Sequence, residues 1–195
     1  RFRVDTYAAR PPQDQVDDLI LDLLPRQGQW GDEEYLWLTD HSNRLIELTD
    51  GYLEVLPMPT DRHQSLLLFV YDLLRVFMAG RGKILVAPLR VRIRERKYRE
   101  PDLLMVVEAS DPRRGNRYWT GPDQPWRDLV EKRADYAEAR IPEYWIIHPV
   151  EETVRVLRLA GEEFEDAGTY CRGNQASSSL LQGFKLDVNA LFDSN

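Results

Sequence analysis

The sequence predicts an α/β fold of the α+β type, in which a mixed β-sheet with β-hairpins is flanked by helices. Three observations predict it. Asp50-Gly51 separates two short alternating segments, apolar residues recur every three or four positions from Asp61 to Met78, and a continuous apolar run covers residues 103–107. These patterns are typical of a tight hairpin, an amphipathic helix and a buried central strand.

The composition favours a water-soluble domain in a reducing compartment. The single cysteine, Cys171, cannot form an internal disulfide, which is typical of a cytoplasmic protein. No apolar run approaches the roughly 18 residues that a membrane span needs. The net charge of −7 argues against a plain DNA-binding module, because such modules neutralise phosphates with a basic face. Carboxylates grouped at a metal site would also count towards this acidic total.

We expect residues 1–28 to form a helical extension and residues 29–195 to form one domain, since a domain commonly has 100–200 residues. The extension carries apolar residues at helical spacing before Pro25, namely Val16, Leu19, Ile20, Leu23 and Leu24.

The elements of the domain follow from alternation, helical periodicity and breakers. The first half is predicted to contain a helix over 32–38, hairpin strands over 44–48 and 52–56, and the helix Asp61–Met78, capped by Thr60 or Asp61. A strand over 84–93 that Pro88 interrupts, a turn over 96–99 and a central strand over 103–107 follow. The second half is predicted to contain a loop over 111–126, a helix over 127–140, a strand over 144–147, hairpin strands over 153–159 and 163–170, and a strand over 181–188.

Carboxylates are the most visible candidates for chemistry. The chain has no zinc-binding Cys/His spacing, no glycine-rich nucleotide cradle and no Gly-x-Ser-x-Gly elbow. Asp102 stands at the head of the predicted central strand, where a carboxylate can bind Mg²⁺ together with waters and phosphate oxygens. Glu47 lies on a hairpin strand, and Lys132 lies on a later helix, where a lysine could stabilise charge on a phosphate. Each also has a structural alternative: a turn for Pro101-Asp102, a water-facing position for Glu47 and a solvated helix charge for Lys132.

Five segments together resemble the bacterial "putative restriction endonuclease" family of the PD-(D/E)xK nuclease superfamily. The segments are Arg44-Leu-Ile-Glu-Leu-Thr-Asp-Gly-Tyr-Leu, Pro59-Thr-Asp-Arg-His63, Glu100-Pro-Asp-Leu-Leu, the helix with Asp128, Lys132, Tyr136 and Ala139, and Ile141-Pro-Glu-Tyr-Trp-Ile. They cover about residues 30–160 in the order that the family has.

The resemblance implies a restriction-endonuclease-like fold, Mg²⁺-dependent hydrolysis of DNA phosphodiester bonds (with Mn²⁺ also possible) and a homodimer. It implies that Asp102 and Glu47 are catalytic metal ligands and that Lys132 is the catalytic lysine. His63 matches the histidine that starts the long helix, so we expect it to bind substrate, together with Arg90, Arg92 and Tyr136.

One element of the family is absent from the sequence. Family members carry a strand with a second catalytic glutamate between the Pro-Asp strand and the lysine helix, whereas here Thr120-Gly121 runs into Pro122-Asp-Gln-Pro-Trp-Arg-Asp128. Glu108 cannot replace that glutamate, because six strand residues separate it from Asp102 by about 20 Å. Either a segment is missing from this sequence or the chain has a deletion. The first is favoured, since the free-energy cost of losing a central strand would exceed the whole free energy of unfolding of a typical protein, about 5–15 kcal/mol.

Two readings of function therefore stay open: a DNA endonuclease, and a catalytically incomplete DNA-binding or dimerisation module on the same fold. The arginine-rich segments, Arg90, Arg92 and Arg94 with Arg113, Arg114 and Arg117, can contact phosphates or can balance nearby acids. Trp119 and Trp126 are expected to be exposed at a dimer interface, where aromatic residues are enriched.

Overall fold

A computed structural model describes residues 23–108, 110–120 and 132–194. The predicted extension therefore lies mostly outside the described residues, as do the region of the missing strand and the start of the helix predicted over 127–140. The described elements, in order, are α1 (Asp32–Asp40), β1 (Ile46–Thr49), β2 (Tyr52–Val55), α2 (Asp61–Met78), β3 (Lys83–Val86), β4 (Val91–Arg94), β5 (Lys97–Arg99), β6 (Leu103–Val106), β7 (Trp119–Thr120), α3 (Lys132–Glu138), β8 (Glu143–His148), β9 (Thr153–Ala160), β10 (Glu163–Tyr170), β11 (Gln175–Ser177), β12 (Lys185–Asp187) and α4 (Val188–Phe192).

The mixed α/β class is confirmed. The larger sheet has the strand order β2-β1-β5-β4-β7 and is mixed, because β4 and β7 pair in parallel while the other neighbours are antiparallel. A second sheet has the order β10-β9-β8, and two further two-stranded ladders join β3 to β6 and β11 to β12. None of the helices in the described residues is long and apolar enough to cross a membrane.

The hairpin at Asp50-Gly51 is confirmed. Both residues have positive φ, 50° at Asp50 and 87° at Gly51, as a tight two-residue hairpin turn of this type requires. Pairing runs from Thr49 opposite Tyr52 to Ile46 opposite Val55, so Glu47 lies opposite Glu54.

The long helix α2 has the predicted bounds. The Thr60 hydroxyl accepts a hydrogen bond from the backbone N–H of His63, which satisfies one of the unpaired donors of the first turn. Leu66, Leu74 and Met78 are buried along one face. The N-terminus of this helix therefore holds His63 in a fixed position at the surface.

The structure changes two expectations between residues 84 and 99. Pro88 separates two strands that belong to different sheets, since β3 pairs with β6 and β4 pairs with β5. The turn expected over 96–99 was wrong: Lys97–Arg99 is strand β5, paired with both β1 and β4, and the turn is shorter, with Arg96 at a φ of 56°.

The apolar run after Asp102 forms strand β6, but its central position is not borne out among the described residues. There, β6 pairs only with β3. Its residues Leu103, Leu104 and Met105 are only partly buried.

The C-terminal part confirms β8 and the hairpin around Gly161, and shortens the last strand. Only Lys185–Asp187 is extended, and it pairs with β11 rather than closing the main sheet. The chain then turns into α4, whose first turn is capped by the Asp187 carboxylate accepting from the N–H of Ala190.

Candidate functional site

Asp102 and His63 form the exposed part of the candidate site. Asp102 precedes β6, and its backbone is fixed there because its carbonyl accepts a hydrogen bond from the N–H of Ala87 at 2.9 Å. Its Oδ1 lies 3.2 Å from Nε2 of His63, at the first turn of α2. The Asp102 side chain is 58% exposed and that of His63 is 36% exposed. The carboxylate is therefore oriented by a neighbour yet accessible from solvent.

Glu47 is buried and joins β1 to the connection between β5 and β6. Its Oε1 accepts from the N–H of Glu100 at 3.1 Å, and Oε2 of Glu100 accepts from the N–H of Ile46 at 3.1 Å. The two residues are 2% and 5% exposed. The water-facing alternative for Glu47 is thus excluded.

Four charged residues that the sequence analysis did not select form the interior of the site. Arg99 Nε donates to Oδ2 of Asp135 at 2.6 Å and lies 3.7 Å from Oε2 of Glu47. The Lys97 ammonium pairs with Asp135 and lies 3.5 Å from Oε2 of Glu138. We call Glu47, Lys97, Arg99, Asp135 and Glu138 the buried charge network.

The residue spacing could have indicated this network. Lys97 and Arg99 alternate on one strand and so share a face, while Asp135 and Glu138 are three apart on a helix and so are neighbours. Only the packing of α3 against the sheet brings the two pairs together, which the sequence does not state.

The charges of both predicted ligands, Glu47 and Asp102, affect the pKa of the Tyr136 hydroxyl. Burial raises the pKa of its hydroxyl well above the ordinary value of 10.0, and Tyr144, Glu47 and Asp102 raise it further, while Arg99 opposes them. Its ring packs edge-on against Tyr144, with centroids 4.9 Å apart. Tyr136 therefore remains a protonated hydrogen-bond donor at neutral pH.

Lys132 is the first residue of α3, four positions before Tyr136. Its side chain lies outside what the structure describes, so its predicted catalytic role stays a prediction.

Arg90 and Arg92 have intramolecular partners. Arg90 donates to the Thr39 hydroxyl and to Asp40, each at 2.7 Å, at the end of α1. Arg92 lies 3.2 Å from Oδ2 of Asp32. These contacts match the alternative that the arginines balance nearby acids.

Three further arginines also balance nearby acids. Arg94 pairs with Asp50 and Glu138, Arg113 pairs with Asp111, and Arg117 pairs with Asp40 and Glu33.

The expected exposure of Trp119 was wrong. It is 9% exposed and packs in the same core as Val91 and Tyr136, because β7 pairs with β4 in the main sheet. Trp126 lies outside the described residues.

A cavity of about 600 Å³ opens beside the site. His63, Glu100, Asp102 and Tyr136 are among the residues that line it. Neither Arg90 nor Arg92 lines this cavity.

The donor types suit Mg²⁺, which binds oxygen and needs only one or two protein carboxylates when substrate phosphate and water complete its shell. Within residues 23–108, 110–120 and 132–194, no three His, Cys, Asp or Glu side chains are arranged to hold a metal ion together. Of the two predicted ligands, Asp102 lines the cavity and Glu47 does not, so the binding of one metal by both stays a prediction.

Comparison with known proteins identifies the family. The family model described as "Uma2: Putative restriction endonuclease" matches residues 32–189. The chain belongs to this family. The Uma2 match covers all four of the elements that carry the site: α2, β1, the β5–β6 connection and α3.

A solved structure has the same fold. It is described as a putative nuclease belonging to DUF820 from Anabaena variabilis ATCC 29413, and it is 18% identical to this chain. The similarity covers 87% of this Uma2 chain and 99% of that chain, with a TM-score of 0.62. No curated protein matches the sequence. The similarity to this solved structure confirms the restriction-endonuclease-like fold.

Proposed function

We propose that this Uma2 chain is a metal-dependent endonuclease that hydrolyses DNA phosphodiester bonds, with Mg²⁺ as its metal and Mn²⁺ as a substitute. The observation that supports this proposal is that Asp102, His63 and Tyr136 line one cavity, and that the charge of the buried Glu47 also raises the pKa of the Tyr136 hydroxyl. Family membership supports the reaction class.

Asp102 and Glu47 are the residues that would hold the metal. Asp102 offers an accessible carboxylate, whereas Glu47 offers a buried one whose position is fixed by the Glu100 N–H. When bound, Mg²⁺ supplies charge stabilisation at the phosphate and lowers the pKa of a coordinated water.

The chain's own residues orient and stabilise the phosphate. His63 Nε2 lies 3.2 Å from Oδ1 of Asp102 and can orient that carboxylate. The protonated Tyr136 hydroxyl can donate a hydrogen bond to a phosphate oxygen at the cavity wall. Lys132, at the start of α3, would offset the charge that develops on the phosphorus-bound oxygens.

The alternative function is a DNA-binding or dimerisation module without catalysis. It is favoured by one observation: Arg99 already lies 3.7 Å from Glu47, so one predicted ligand is engaged in the buried charge network.

Nicking of supercoiled plasmid distinguishes the two functions. Purified protein is incubated with plasmid and Mg²⁺ or Mn²⁺, with EDTA as the control, and binding of the same DNA is followed by mobility shift. Metal-dependent nicking supports the nuclease. A mobility shift without nicking in either metal rejects it in favour of the binding module.

A further inference from the structure

Helix α2 is apolar around its whole circumference over residues 66–71, which read Leu-Leu-Leu-Phe-Val-Tyr. Consecutive helical residues are about 100° apart, so six of them place side chains on every side of the helix. A helix that packs on a core with one side only needs apolar residues on that side, whereas a helix that is apolar all round is usually covered all round. In the described residues, the core covers α2 on one side, through Leu66, Leu74 and Met78.

The opposite side of α2 carries a stripe of exposed residues. Leu68 and Val76 are 55% and 69% exposed, and Asp72 lies one helical turn from each of them. Arg75 and the C-cap residue Ala79 are exposed as well. Neighbours among these five residues are three or four positions apart, so all five lie on one face. We call Leu68, Asp72, Arg75, Val76 and Ala79 the outer stripe of α2.

The outer stripe contains one acid and one base, which pair with each other. Arg75 Nε lies 3.4 Å from Oδ1 of Asp72, and the two side chains are 61% and 67% exposed. Within the described part of the chain, this contact uses only the Nε of the guanidinium, so its two terminal amino groups can bind a second carboxylate. The pair can therefore bind another acid–base pair of the same kind.

The outer stripe is complementary to a second copy of itself in the antiparallel orientation. A two-fold axis that crosses α2 midway between Asp72 and Arg75 places Asp72 of each copy opposite Arg75 of the other, and four charges then alternate in sign. The same axis places the large Leu68 opposite the small Ala79. A parallel pair in the same register would place like charges opposite each other, which is unfavourable. Charge therefore selects one orientation for a pair of α2 helices.

The segments outside the described residues adjoin elements that pack elsewhere. Residues 1–22 lead towards Leu24, which packs in the cluster around Trp30. Residues 121–131 connect β7 to α3, and Trp119 and Tyr136 of those two elements share another cluster. Neither cluster contains a residue of α2. A second copy of the chain is thus the occupant that the charges of the outer stripe favour.

We propose that the outer stripe forms an isologous homodimer contact, in which α2 packs antiparallel against α2 of a second copy. A standard interface uses roughly 20–30 residues on each side, far more than the outer stripe has, so we expect a reversible dimer whose mass falls on dilution. The proposal does not depend on nuclease activity, and variants of the stripe should still nick DNA, since nicking of one strand needs only one site.

Charge reversal tests the surface and its orientation together. Asp72→Arg gives the stripe two positive residues, and Arg75→Asp gives it two negative ones. Each variant alone should have the mass of a monomer by light scattering at a concentration at which the wild type is a dimer. An equimolar mixture of the two variants should recover the dimer mass, because the two-fold arrangement then places unlike charges opposite each other. Both positions are exposed, so the variants should fold, which circular dichroism verifies.

An apolar position supplies the matched pair of variants. Val76→Glu places an unpaired charge in the contact, and we expect it to raise the dissociation constant of the dimer by about tenfold or more. Val55→Glu is the control, because Val55 is 54% exposed on β2, outside the stripe, and this variant should dimerise like the wild type.

Four results would overturn the proposal. A monomeric wild type would mean that another part of the chain covers the stripe or that the stripe stays in contact with water. A dimer that survives Val76→Glu unchanged, or that survives both charge reversals, would use another face. A mixture of the reversal variants that stays monomeric would exclude the antiparallel pairing of Asp72 with Arg75.

Discussion

Arg99 Nε donates a hydrogen bond of 2.6 Å to the Asp135 carboxylate, and both side chains are at least 90% buried. The pair joins β5 to α3 across 36 residues of sequence. Arg99 also donates to the Leu48 carbonyl and the Thr49 hydroxyl, so one guanidinium connects three elements beside the candidate site. The buried charge network therefore holds the helix that carries Tyr136 against the strand that carries Glu47.

Asp135→Ala should strongly destabilise the fold. It leaves Arg99 and Lys97 buried without their shared carboxylate, and removing one partner of a buried pair typically costs about 3–5 kcal/mol. The free energy of unfolding, from urea denaturation, is the measurement. The matched control is Asp166→Ala, because the Arg155–Asp166 pair is about 40% exposed and should contribute about 1 kcal/mol or less. Equal losses in the two variants would contradict the structural role of the network.

Tyr136→Phe should reduce plasmid nicking by about tenfold while the fold is retained, since only the hydroxyl that we assign to the phosphate is lost. Tyr170→Phe is the control, because that hydroxyl lies 3.4 Å from Ser177, away from the cavity. The measurement is the nicking rate at saturating Mg²⁺, with circular dichroism for folding. Unchanged nicking in Tyr136→Phe would remove this tyrosine from the site.

Glu143 should contribute to stability above its ordinary pKa and lose that contribution in acid. Burial raises the pKa of this carboxyl, but hydrogen bonds from Ser178, Ser179, Trp145 and the N–H of Leu180 outweigh burial and hold the pKa below 4.5. A carboxyl whose pKa is lower in the folded protein favours folding once it is ionised, and this advantage disappears as the pH falls through the folded pKa.

The corresponding experiment compares urea midpoints at about pH 6 and about pH 3. The wild type should lose more stability in acid than Glu143→Gln does. Glu163→Gln, at an exposed residue of β10, should lose as much as the wild type. If Glu143→Gln loses as much stability in acid as the wild type does, the hydrogen bonds around Glu143 are not the cause of that loss.

A homodimer is proposed from the family resemblance, since two cuts in a duplex need two sites. Light scattering at micromolar concentration should give about twice the 22.8 kDa of one chain. A mass of one chain would contradict the dimer. The burial of Trp119 removes one of the surface features from which the dimer was first inferred.

Local signals predicted much of the fold. The Asp50-Gly51 turn, the cap at Thr60 and the apolar periodicity of α2 each depend on residues close in sequence, and each was confirmed. Lys97 and Arg99 fall in the segment that the sequence predicts as a turn, whereas the structure buries both on strand β5. They are buried because Asp135 and Glu138 neutralise them from α3, and that contact is not visible in a local pattern.

Only part of the candidate site could be predicted, because contacts between segments distant in sequence are not visible in a local pattern. The neighbours of Asp102 depend on α2 and α3 docking at one end of β6, so His63 and Tyr136 were found through the family resemblance rather than through spacing. Glu47 was ambiguous because alternation alone does not say which face of a hairpin is covered. Its burial follows from the pairing of β1 with β5 and from the Glu100 N–H.

Asp102→Ala most directly tests whether the chain is a nuclease that acts through this site. Supercoiled plasmid is incubated with Mg²⁺ and equal amounts of wild type, Asp102→Ala and Asp72→Ala, the last removing an exposed aspartate from α2. We predict nicking by the wild type and by Asp72→Ala, and none detectable with Asp102→Ala, whose fold should persist because its side chain is mostly exposed. Equal nicking by all three proteins would contradict the account, since the activity would then not depend on Asp102.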